Sequence, residues 1–381
     1  MRRYDIAIPC HFGLESVCKR EITDLGYTIK TVSDGRIVFE GDASAIVRSN
    51  IFLRTAERVL VCIGTFRAES FDELYEKTRA LDWASVLPEN ARFWVKKASS
   101  VRSKLFSSSD IQKIVKKAIV DSMASRYKRE RFEEDGDDYP IRVFINKNEV
   151  TVSLDTSGDS LHKRGYRKLQ GTAPIAENLA AAIIGLTPWK DGRILVDPFC
   201  GSGTIPIEAA MKARNIAPGA GREFTAEKWT GLIDRKLWYE ALDEANDMIR
   251  KDAAADIQGY DIDGEVLKAA RANAKAAGVE DMIHFQQRPV NELAHHNKYG
   301  FIITNPPYGQ RLEDEESLPK IYSQIGQSMD RLDTWSYYII TAYDDAERHI
   351  GKRASKNRKI YNGMIKTYLY IYEGPKPAGR K

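Results

Sequence analysis

Four consecutive residues in the second half of the chain have the types and spacing to hold an amino group during a substitution at carbon. Asn305, Pro306, Pro307 and Tyr308 directly follow the apolar segment 301–304, which has the composition of a buried strand. An exocyclic amino group of a nucleobase is a weak nucleophile, because its lone pair is delocalised into the ring. The side-chain oxygen of Asn305 and the carbonyl of Pro306 can each accept one N–H, which favours a pyramidal nitrogen with a free lone pair.

The other members of this tetrad suit the same chemistry. The two prolines stiffen the backbone that carries both acceptors, and the Tyr308 ring offers a surface on which a base can stack. No strong general base is needed, because the amine becomes acidic as it gains a methyl group. The competing interpretation is a proline-rich turn that begins at Asn305 and has no chemical role.

A second candidate site is a glycine-containing loop at an expected strand-to-helix junction. Its candidate ligand-binding residues are Asp197, Phe199, Cys200, Gly201, Ser202, Gly203 and Thr204. Open α/β sheets bind ligands beyond the carboxyl ends of their strands, where glycines let the backbone approach a ligand. A P-loop would end in Gly-Lys-Ser/Thr, and a dinucleotide fingerprint would have Gly or Ala where Pro206 stands. S-adenosylmethionine is therefore the expected cofactor, and an ordinary tight turn is the alternative.

The next expected strand ends in a second group of candidate ligands. Asp261 follows Gly259-Tyr260, and a carboxylate at this position can accept hydrogen bonds from both ribose hydroxyls of a nucleoside cofactor. We also expect Ile262 to contact the cofactor. Asp263 is expected to cap the following helix, and a capping role is also the alternative for Asp261.

The second half of the chain has the pattern of a framework that could carry these motifs. Apolar segments alternate with helical periodicity, which predicts a mostly parallel α/β sheet. The expected strands are 193–197, 257–260, 283–286, 301–304 and 336–341, and residues 214–256 are expected to be a long, partly helical insertion. Asn362-Gly363 between two apolar runs is a strong hairpin signal, so the sheet should finish with an antiparallel hairpin.

The first half has the mixed pattern of an α+β module. Expected strands are 4–8, 36–39, 59–63, 92–97, 141–145 and 150–154. Helical spacing predicts a helix from a cap at Ser109 or Asp110 to about Arg126. The stretch 155–172 is rich in Gly, Ser and basic residues, which indicates a connector between the two halves.

The net charge of +4 is small, but the basic residues are unevenly distributed. Segment 92–131 has 12 basic and 3 acidic residues, an excess that favours a polyanionic partner. Phe93, Trp94 and Phe106 interleave with the charges, which suits RNA. The candidate phosphate-binding residues are Lys96, Lys97, Arg102, Lys104, Lys113, Lys116 and Lys117. The alternative is an exposed helix face that carries lysines for solubility alone.

Composition excludes several classes of protein. In 381 residues, 43% are hydrophobic and 29% charged, as in a globular chain and unlike a disordered one. The four cysteines have neither CxxC nor zinc-ligand spacing, so we expect reduced thiols, a cytoplasmic protein and no metal site. No apolar run reaches the roughly 18 residues of a membrane span. The N-terminal apolar patch is broken by Pro9 and is too short for a secretory signal.

Together these motifs resemble those of a known family. Segments 197–204, 259–263 and 305–308 look like motifs I, II and IV of class I S-adenosylmethionine-dependent amino-methyltransferases. The connector His162-Lys-Arg-Gly-Tyr-Arg167, followed by Ala173-Pro174-Ile-Ala-Glu177, narrows the match. With the N-terminal module, it resembles the bacterial THUMP-domain ribosomal RNA guanine-N2 methyltransferases, which are often labelled as N6-adenine-specific DNA methylases.

The resemblance implies a domain organisation and further site residues. Residues 1–60 would be a ferredoxin-like module, 61–155 a THUMP RNA-binding domain, 156–172 the connector and 173–381 a Rossmann-like methyltransferase domain with a seven-stranded sheet. The family's region before the first strand carries over onto Thr172, Ala173 and Pro174 as cofactor contacts. Many relatives have an acidic residue after the third strand that holds the adenine amino group. Here Asn291 or nearby backbone would have to serve.

These expectations combine into one leading hypothesis and two alternatives. The leading hypothesis is methyl transfer from S-adenosylmethionine to N2 of a guanine in 23S ribosomal RNA of the large subunit. The tetrad is equally compatible with N6-adenine methylation of DNA, which would however require a domain that reads the major groove. A non-catalytic RNA-binding assembly factor is the alternative from a different class. The sequence leaves the oligomeric state open and is compatible with a monomer.

Overall fold

The N-terminal half is built around one mixed β-sheet. The computed structural model describes residues 2–129, 131–167, 174–309, 316–363 and 365–377. In this part of the chain, the first sheet contains β1 (Tyr4–Pro9), β2 (Ile29–Ser33), β3 (Arg36–Gly41), β4 (Leu60–Arg67), β5 (Arg92–Val101), β6 (Asp138–Asn146) and β7 (Glu149–Asp155). Their spatial order is β2-β3-β1-β4-β7-β6-β5. Only β5 and β6 pair in parallel among these neighbours.

Strand β4 joins two groups of strands into this one sheet. It pairs with β1 on one side, where Asp5 lies opposite Cys62, and with β7 on the other, where Leu60 lies opposite Asp155. The accompanying helices are α1 (Glu15–Asp24), α2 (Ala43–Phe52), α3 (Phe71–Arg79) and α4 (Ser108–Tyr127). The ferredoxin-like and THUMP segments expected from the sequence therefore share a continuous hydrogen-bonded sheet.

The C-terminal half forms a second, mostly parallel sheet. Its strands within the described residues are β8 (Leu195–Asp197), β9 (Ile257–Asp261), β10 (Ile283–Gln287), β11 (Phe301–Thr304), β12 (Ser336–Thr341), β13 (Lys356–Asn362) and β14 (Ile365–Tyr372). The order is β10-β9-β8-β11-β12-β14-β13, parallel through β12, with β14 antiparallel to both of its neighbours. The helices are α5 (Glu177–Leu186), α6 (Thr204–Ala213), α7 (Arg235–Asp247), α8 (Gly264–Ala276), α9 (Leu318–Arg331) and α10 (Ala346–Ile350). The expected Rossmann-like sheet with an antiparallel terminal hairpin is confirmed.

The insertion between α6 and β9 packs on the N-terminal half. Trp229 stacks on Tyr139 of β6 with ring centroids 4.7 Å apart, and its indole N–H donates to the Asp138 carbonyl at 2.8 Å. Arg48 of α2 donates two hydrogen bonds to the carboxylate of Glu244 in α7. Side chains of the insertion thus complete the N-terminal hydrophobic core and join the two halves.

The connector is also packed between the halves. In its described part, Arg164 is buried, lies 3.4 Å from the Glu208 carboxylate of α6 and donates to the backbone carbonyl of Arg54. Tyr166 donates to the same Glu208 carboxylate at 3.1 Å. Because a buried ion pair requires fixed partners, this segment holds the two halves in a defined arrangement.

Three local features differ from the expectations. Strand β2 and helix α10 were not expected: four of the five β2 residues are exposed, so β2 has no apolar alternation, and α10 has only five residues. Helix α4 is capped by Ser107, whose hydroxyl accepts from the amide of Asp110, and not by Ser109 or Asp110. Phe93 is a core residue, whereas Trp94 is 36% exposed.

Candidate functional site

The carboxyl end of β8 carries a buried carboxylate that organises the site. Asp197 Oδ1 accepts the Thr304 hydroxyl at 2.6 Å and the Phe199 amide at 3.1 Å. The side chain is fully enclosed, and burial raises its pKa to about 7 despite these two hydrogen bonds. Asp197 thus connects the start of the glycine loop to the end of β11, the strand that precedes the tetrad.

At two positions, the glycine loop takes a backbone conformation that only glycine adopts without strain. Gly201 has φ +52° and Gly203 has φ +88°. A Cβ built on Gly203 would lie 3.2 Å from Ala270 and Phe285, so this glycine allows α6 to pack closely against α8 and β10. A Cβ on Gly201 would meet no heavy atom within 4 Å, so the backbone there faces open space.

The remaining loop residues are held by a backbone hydrogen bond and by burial of their side chains. The Cys200 amide donates to the Tyr260 carbonyl at 2.9 Å, and the Cys200 side chain is buried against Gly259. The Ser202 side chain is buried, and its hydroxyl has no hydrogen-bond partner among the described residues. Phe199 is half-buried. Any contact of Cys200 with a ligand must therefore come from its backbone, because its thiol points into the core.

Two adjacent carboxylates at the end of β9 have different roles. Asp261 Oδ2 accepts the Gly201 amide at 3.0 Å, and Oδ1 accepts the Asp263 amide at 3.0 Å. Burial raises the Asp261 pKa, and these amides lower it. Asp263 accepts the Glu265 and Val266 amides and is the cap of α8, as expected. The apolar side chain of Ile262 is 70% exposed beside Asp261, which leaves an apolar surface next to the loop.

The tetrad lies at the carboxyl end of β11, next to β8 in the sheet. The Asn305 side-chain oxygen is buried and has no hydrogen-bond partner within the described residues. Pro306 is buried and Pro307 is exposed. The Pro307 carbonyl accepts the hydroxyl of Tyr322 in α9 at 3.1 Å, and Tyr322 also bonds to Thr341. Helix α9 and strand β12 thus fix the backbone of the tetrad and leave one buried acceptor available.

Tyr308 is held by the terminal hairpin, a contact that the sequence did not indicate. Burial raises the pKa of the Tyr308 hydroxyl, and a hydrogen bond with the Asn362 side chain opposes this effect. Asn362 is the last residue of β13, at the Asn-Gly turn. The turn motif predicted a hairpin, but nothing in it indicated that the tip reaches the tetrad.

Arg167 is a second residue that sequence reasoning did not select for the site. Its guanidinium donates to the Thr204 hydroxyl at 2.6 Å and to the Ile175 carbonyl at 3.0 Å, and it lies 3.3 Å from the Glu177 carboxylate. It therefore connects the connector to the first residue of α6. Pro174, one of the expected cofactor contacts, is half-buried just before Ile175, whereas Thr172 and Ala173 lie outside the described residues.

The region after β10 carries the side-chain amide of Asn291, where many relatives of the fold have an acidic residue. Asn291 lies in a single helical turn at Val290–Glu292, its side chain is exposed, and its carbonyl accepts from Arg331. Val290 is buried. The exposed Asn291 amide remains our candidate for the adenine contact.

The glycine loop fits S-adenosylmethionine on the evidence of these contacts. An open backbone surface at Gly201, a carboxylate at Asp261 and an apolar side chain at Ile262 match a carboxylate-bearing nucleoside with adjacent ribose hydroxyls. The unpartnered Asn305 oxygen lies on the neighbouring strand end. Within the described residues, no cluster of three His, Cys, Asp or Glu side chains could hold a metal ion, and all four cysteines are free thiols.

The basic residues of segment 92–131 fall into two groups. Several are already engaged inside the protein: Lys96 donates to the Gly158 carbonyl, Lys104 pairs with Glu69, and Lys116 pairs with Glu134. Lys97, Arg102, Lys113 and Lys117 are exposed, and none of them forms an ion pair with a described residue. Phe106 is 82% exposed on the same segment. Helix α4 and the β5–α4 loop therefore present a smaller basic surface than the count of residues suggested.

No helix in the described part of the chain combines the length and apolar character that crossing a bilayer requires.

Three family models match the chain in succession. The RlmL ferredoxin-like domain matches residues 5–60, the THUMP domain residues 68–155, and the RMKL-like methyltransferase domain residues 164–371. The three matched ranges follow one another along the chain without overlap.

Relatives similar over the full length agree with these matches. A Bacillus subtilis (strain 168) protein provisionally assigned as an RNA methyltransferase, YpsC, is 44% identical over 98% of this chain and 96% of its own. A Clostridium difficile 630 protein described as a possible methylase has a structure with a TM-score of 0.95 and 50% identity, covering both chains completely. SMU.472, solved with S-adenosylhomocysteine bound, has a TM-score of 0.91 and 39% identity over 99% of this chain and 100% of its own.

The family model for the catalytic domain covers more than half of the chain, and the relatives match it from end to end. On these grounds the chain belongs to the RMKL-like family of S-adenosylmethionine-dependent methyltransferases, with ferredoxin-like and THUMP domains before the catalytic domain.

Proposed function

We propose that this methyltransferase modifies RNA in the cytoplasm, and that its target is the exocyclic N2 of a guanine in 23S ribosomal RNA. The observation that carries the proposal is the buried, unpartnered oxygen of Asn305, one residue beyond the strand that is hydrogen-bonded to the glycine loop. A buried acceptor without a donor costs free energy, so a substrate N–H is the partner that would satisfy it.

The residues around Asn305 would prepare the amine for attack. The Asn305 oxygen and the Pro306 carbonyl would each accept one N–H, leaving the lone pair of the nitrogen directed away from the tetrad. S-adenosylmethionine supplies the methyl group when it is bound at the glycine loop. The Tyr308 ring, fixed through Asn362, would stack on the base after it has left its helix.

Several chain elements would hold the cofactor at the loop. Asp261 would accept the ribose hydroxyls, and the exposed side chain of Ile262 would pack on the adenine beside the Asn291 amide. Arg167 fixes Thr204, and Asp197 fixes Phe199, so the loop does not have to be reordered when the ligand enters. The amides of Gly201 and Gly203 already donate to the Asp261 carboxylate and the Cys200 carbonyl, so we assign the amide-donating position of the loop to Ser202, and Gly201 and Gly203 let the backbone approach the ligand.

The N-terminal half supports RNA as the substrate class. It contains the THUMP match, and its exposed side chains Lys97, Arg102, Lys113 and Lys117 suit the phosphates of a polyanion. The relative YpsC is provisionally assigned as an RNA methyltransferase. A flipped nucleotide must reach Asn305 while the surrounding strand remains bound, and the packed insertion between the halves supports that arrangement.

Nucleoside analysis of ribosomal RNA tests this proposal. We expect RNA from a strain lacking the gene to have lost one N2-methylguanosine, which the wild-type gene restores and Asn305→Ala does not. Loss of N6-methyladenine from DNA instead would establish the DNA alternative. No change in any methylated nucleoside, together with no binding of S-adenosylmethionine in calorimetry, would indicate a non-catalytic assembly factor.

A further inference from the structure

The terminal hairpin carries the densest positive charge in the C-terminal half. Residues 351–366 contain six basic side chains and no acidic one. They are Lys352, Arg353, Lys356, Arg358, Lys359 and Lys366. This run lies outside the basic segment in the N-terminal half, and neither the catalytic tetrad nor the glycine loop uses it.

Only part of this charge is neutralised within the described residues. Lys352 pairs with Asp330 at 2.7 Å, and Lys356 pairs with Glu373 at 2.9 Å. Arg353, Arg358, Lys359 and Lys366 are exposed and form no ion pair with a described carboxylate, and the last three lie in the hairpin itself. Arg358 donates to the Gly13 carbonyl at 3.3 Å. Three cations therefore remain accessible along the hairpin.

Two exposed aromatic rings lie beside these cations. Phe12, in the loop after β1, is 42% exposed, and Tyr361 of β13 is 36% exposed. Their ring centroids are 6.4 Å apart in an edge-to-face arrangement. The Lys359 ammonium lies 5.2 Å from the centre of the Tyr361 ring. Large apolar side chains left in water next to unpaired cations are typical of surfaces that bind single-stranded nucleic acid.

This surface continues directly into the catalytic tetrad. Tyr361 is followed by Asn362, whose side chain is hydrogen-bonded to Tyr308. The Arg358 contact with Gly13 also fixes the Phe12 loop of the N-terminal half against the hairpin. Any strand that delivers a base to Tyr308 would therefore have its adjacent nucleotides close to this hairpin.

Strand β13 is also an edge strand, and lysines on an edge strand commonly prevent unwanted strand pairing. Preventing strand pairing needs only charged side chains on the strand. It does not explain why the exposed ring of Phe12, from the other half of the protein, packs edge-to-face on Tyr361 of the hairpin. The combination of rings and cations favours a ligand that has both bases and phosphates.

We propose that Phe12, Lys359, Tyr361 and Lys366 form a binding surface for the single-stranded nucleotides adjacent to the target base, here called the hairpin surface. Tyr361 lies opposite Lys366 in the hairpin and shares its face with Lys359. The inference rests on the proposed function, because it assumes that the substrate is RNA. The two lysines contact phosphates, and the two rings stack on bases next to the one that is flipped. The N-terminal basic residues then bind a more distant part of the same RNA.

Binding of a fluorescein-labelled single-stranded RNA of mixed sequence tests the hairpin surface. The double variant Lys359→Ala/Lys366→Ala should bind about tenfold more weakly and show a salt dependence less steep by about 1.4 in log–log slope. Lys236→Ala/Lys268→Ala is the matched control, because both lysines are exposed and remote in sequence. Unchanged affinity and slope in the hairpin variant would overturn the proposal.

The aromatic contribution is tested separately. Tyr361→Ala should weaken binding about tenfold, whereas Tyr361→Phe should retain it because stacking needs only the ring. Equal losses in Tyr361→Ala and Tyr361→Phe would contradict stacking. The calorimetric affinity for S-adenosylhomocysteine should not change in any of these variants, since none touches the glycine loop, and this unchanged affinity shows that each variant is folded.

Turnover on ribosomal RNA from the deletion strain separates this inference from the proposed function. If the wild-type protein methylates this RNA and the hairpin variants do so with an unchanged KM, the inference is wrong and the function stands. If the wild-type protein does not methylate it but the variants still bind RNA less tightly, the function is wrong and the surface stands. A raised KM with an unchanged kcat in the variants supports both the proposed function and the hairpin surface.

Discussion

The Thr304 hydroxyl donates a hydrogen bond of 2.6 Å to the carboxylate of Asp197 and so joins the ends of two neighbouring parallel strands. On one side of this bond the chain enters the glycine loop, and on the other it enters the tetrad. The bond fixes the separation of the two segments. If the two segments hold the methyl donor and the amine as proposed, a rigid connection between them would help to place the reacting atoms at the distance that methyl transfer needs.

The first prediction concerns the side-chain oxygen of Asn305, which has no hydrogen-bond partner within the described residues. Asn305→Ala should lower kcat by about 10³-fold, because it removes the acceptor that we propose for the amine at the reacting nitrogen. The calorimetric Kd for S-adenosylhomocysteine should stay within about twofold, because Asn305 is outside the glycine loop. Asn246→Ala, at an exposed position in α7, is the control. Retained turnover in Asn305→Ala would remove the role assigned to it.

The second prediction distinguishes the adjacent carboxylates after β9. Asp261→Ala should weaken S-adenosylhomocysteine binding at least about tenfold, because the Gly201 amide loses its acceptor and the ribose hydroxyls would lose the carboxylate that we propose for them. Asp263→Ala should leave that affinity unchanged and lower the free energy of unfolding by about 1 kcal/mol, since it removes only the cap of α8. Calorimetry and urea unfolding measure the two effects. The reverse pattern would contradict both assignments.

The third prediction tests the backbone of the loop. Gly203→Ala should lower the free energy of unfolding by about 1–3 kcal/mol, because alanine is strained at φ +88° and its Cβ would crowd Ala270 and Phe285. Gly192→Ala, where an added Cβ meets nothing within 4 Å, should change it by less than about 0.5 kcal/mol. Urea unfolding provides the measurement. Similar stability of the two variants would disagree with the loop geometry.

The fourth prediction follows from the buried carboxyl group of Asp197. Its pKa is about 7 in the folded protein and close to 3.8 when unfolded, so between these values only the native state binds the proton. The contribution of this group to the free energy of unfolding therefore falls as pH rises from about 4 to 7, by at most about 1.4 kcal/mol per pH unit.

Asp197→Asn isolates this effect. The amide oxygen can still accept from Thr304 and Phe199, but the side chain no longer titrates. The stability of the variant relative to wild type should therefore increase as pH rises through that window. Urea unfolding at several pH values measures the difference. A difference that does not change with pH would show that Asp197 does not bind the proton.

The fifth prediction separates engaged from available lysines in the THUMP half. Lys113→Ala/Lys117→Ala should weaken RNA binding and make the log–log salt slope less steep by about 1.4, because both ammonium groups are free to contact phosphates. Lys104→Ala should have a smaller effect, because its ammonium already pairs with Glu69. Filter binding over a range of salt concentrations measures both. Equal effects would mean that the Glu69 pair opens on binding.

The positions of both candidate segments, at the ends of β8 and β11, could be predicted from the sequence because each segment is local, and the roles of their residues stay predictions. The glycine loop and the tetrad are runs of a few residues after apolar strands, and strand-to-loop junctions are visible in residue order alone. Asp263 could be assigned as a cap for the same reason. The family resemblance then supplied the domain order, which composition and periodicity did not contain.

The contacts that position the site could not be predicted, because they join distant segments. Arg167 reaches Thr204, and Asn362 reaches Tyr308, only after the sheet has assembled. The lysines of segment 92–131 show the same limit. Their number can be read from the sequence, but the ion pair between Lys104 and Glu69 cannot be predicted from it. Strand β2 was missed because its side chains face water and follow no apolar alternation.

The insertion that packs Trp229 onto Tyr139 has a consequence for target selection. Because the two halves are packed together, the distance from the exposed lysines of α4 to Asn305 is fixed. If RNA binds to both as proposed, the enzyme would select a nucleotide by its distance from a helix of the same RNA that docks on α4. Lengthening that RNA helix by a base pair should therefore displace the modified position, even when the surrounding bases are identical.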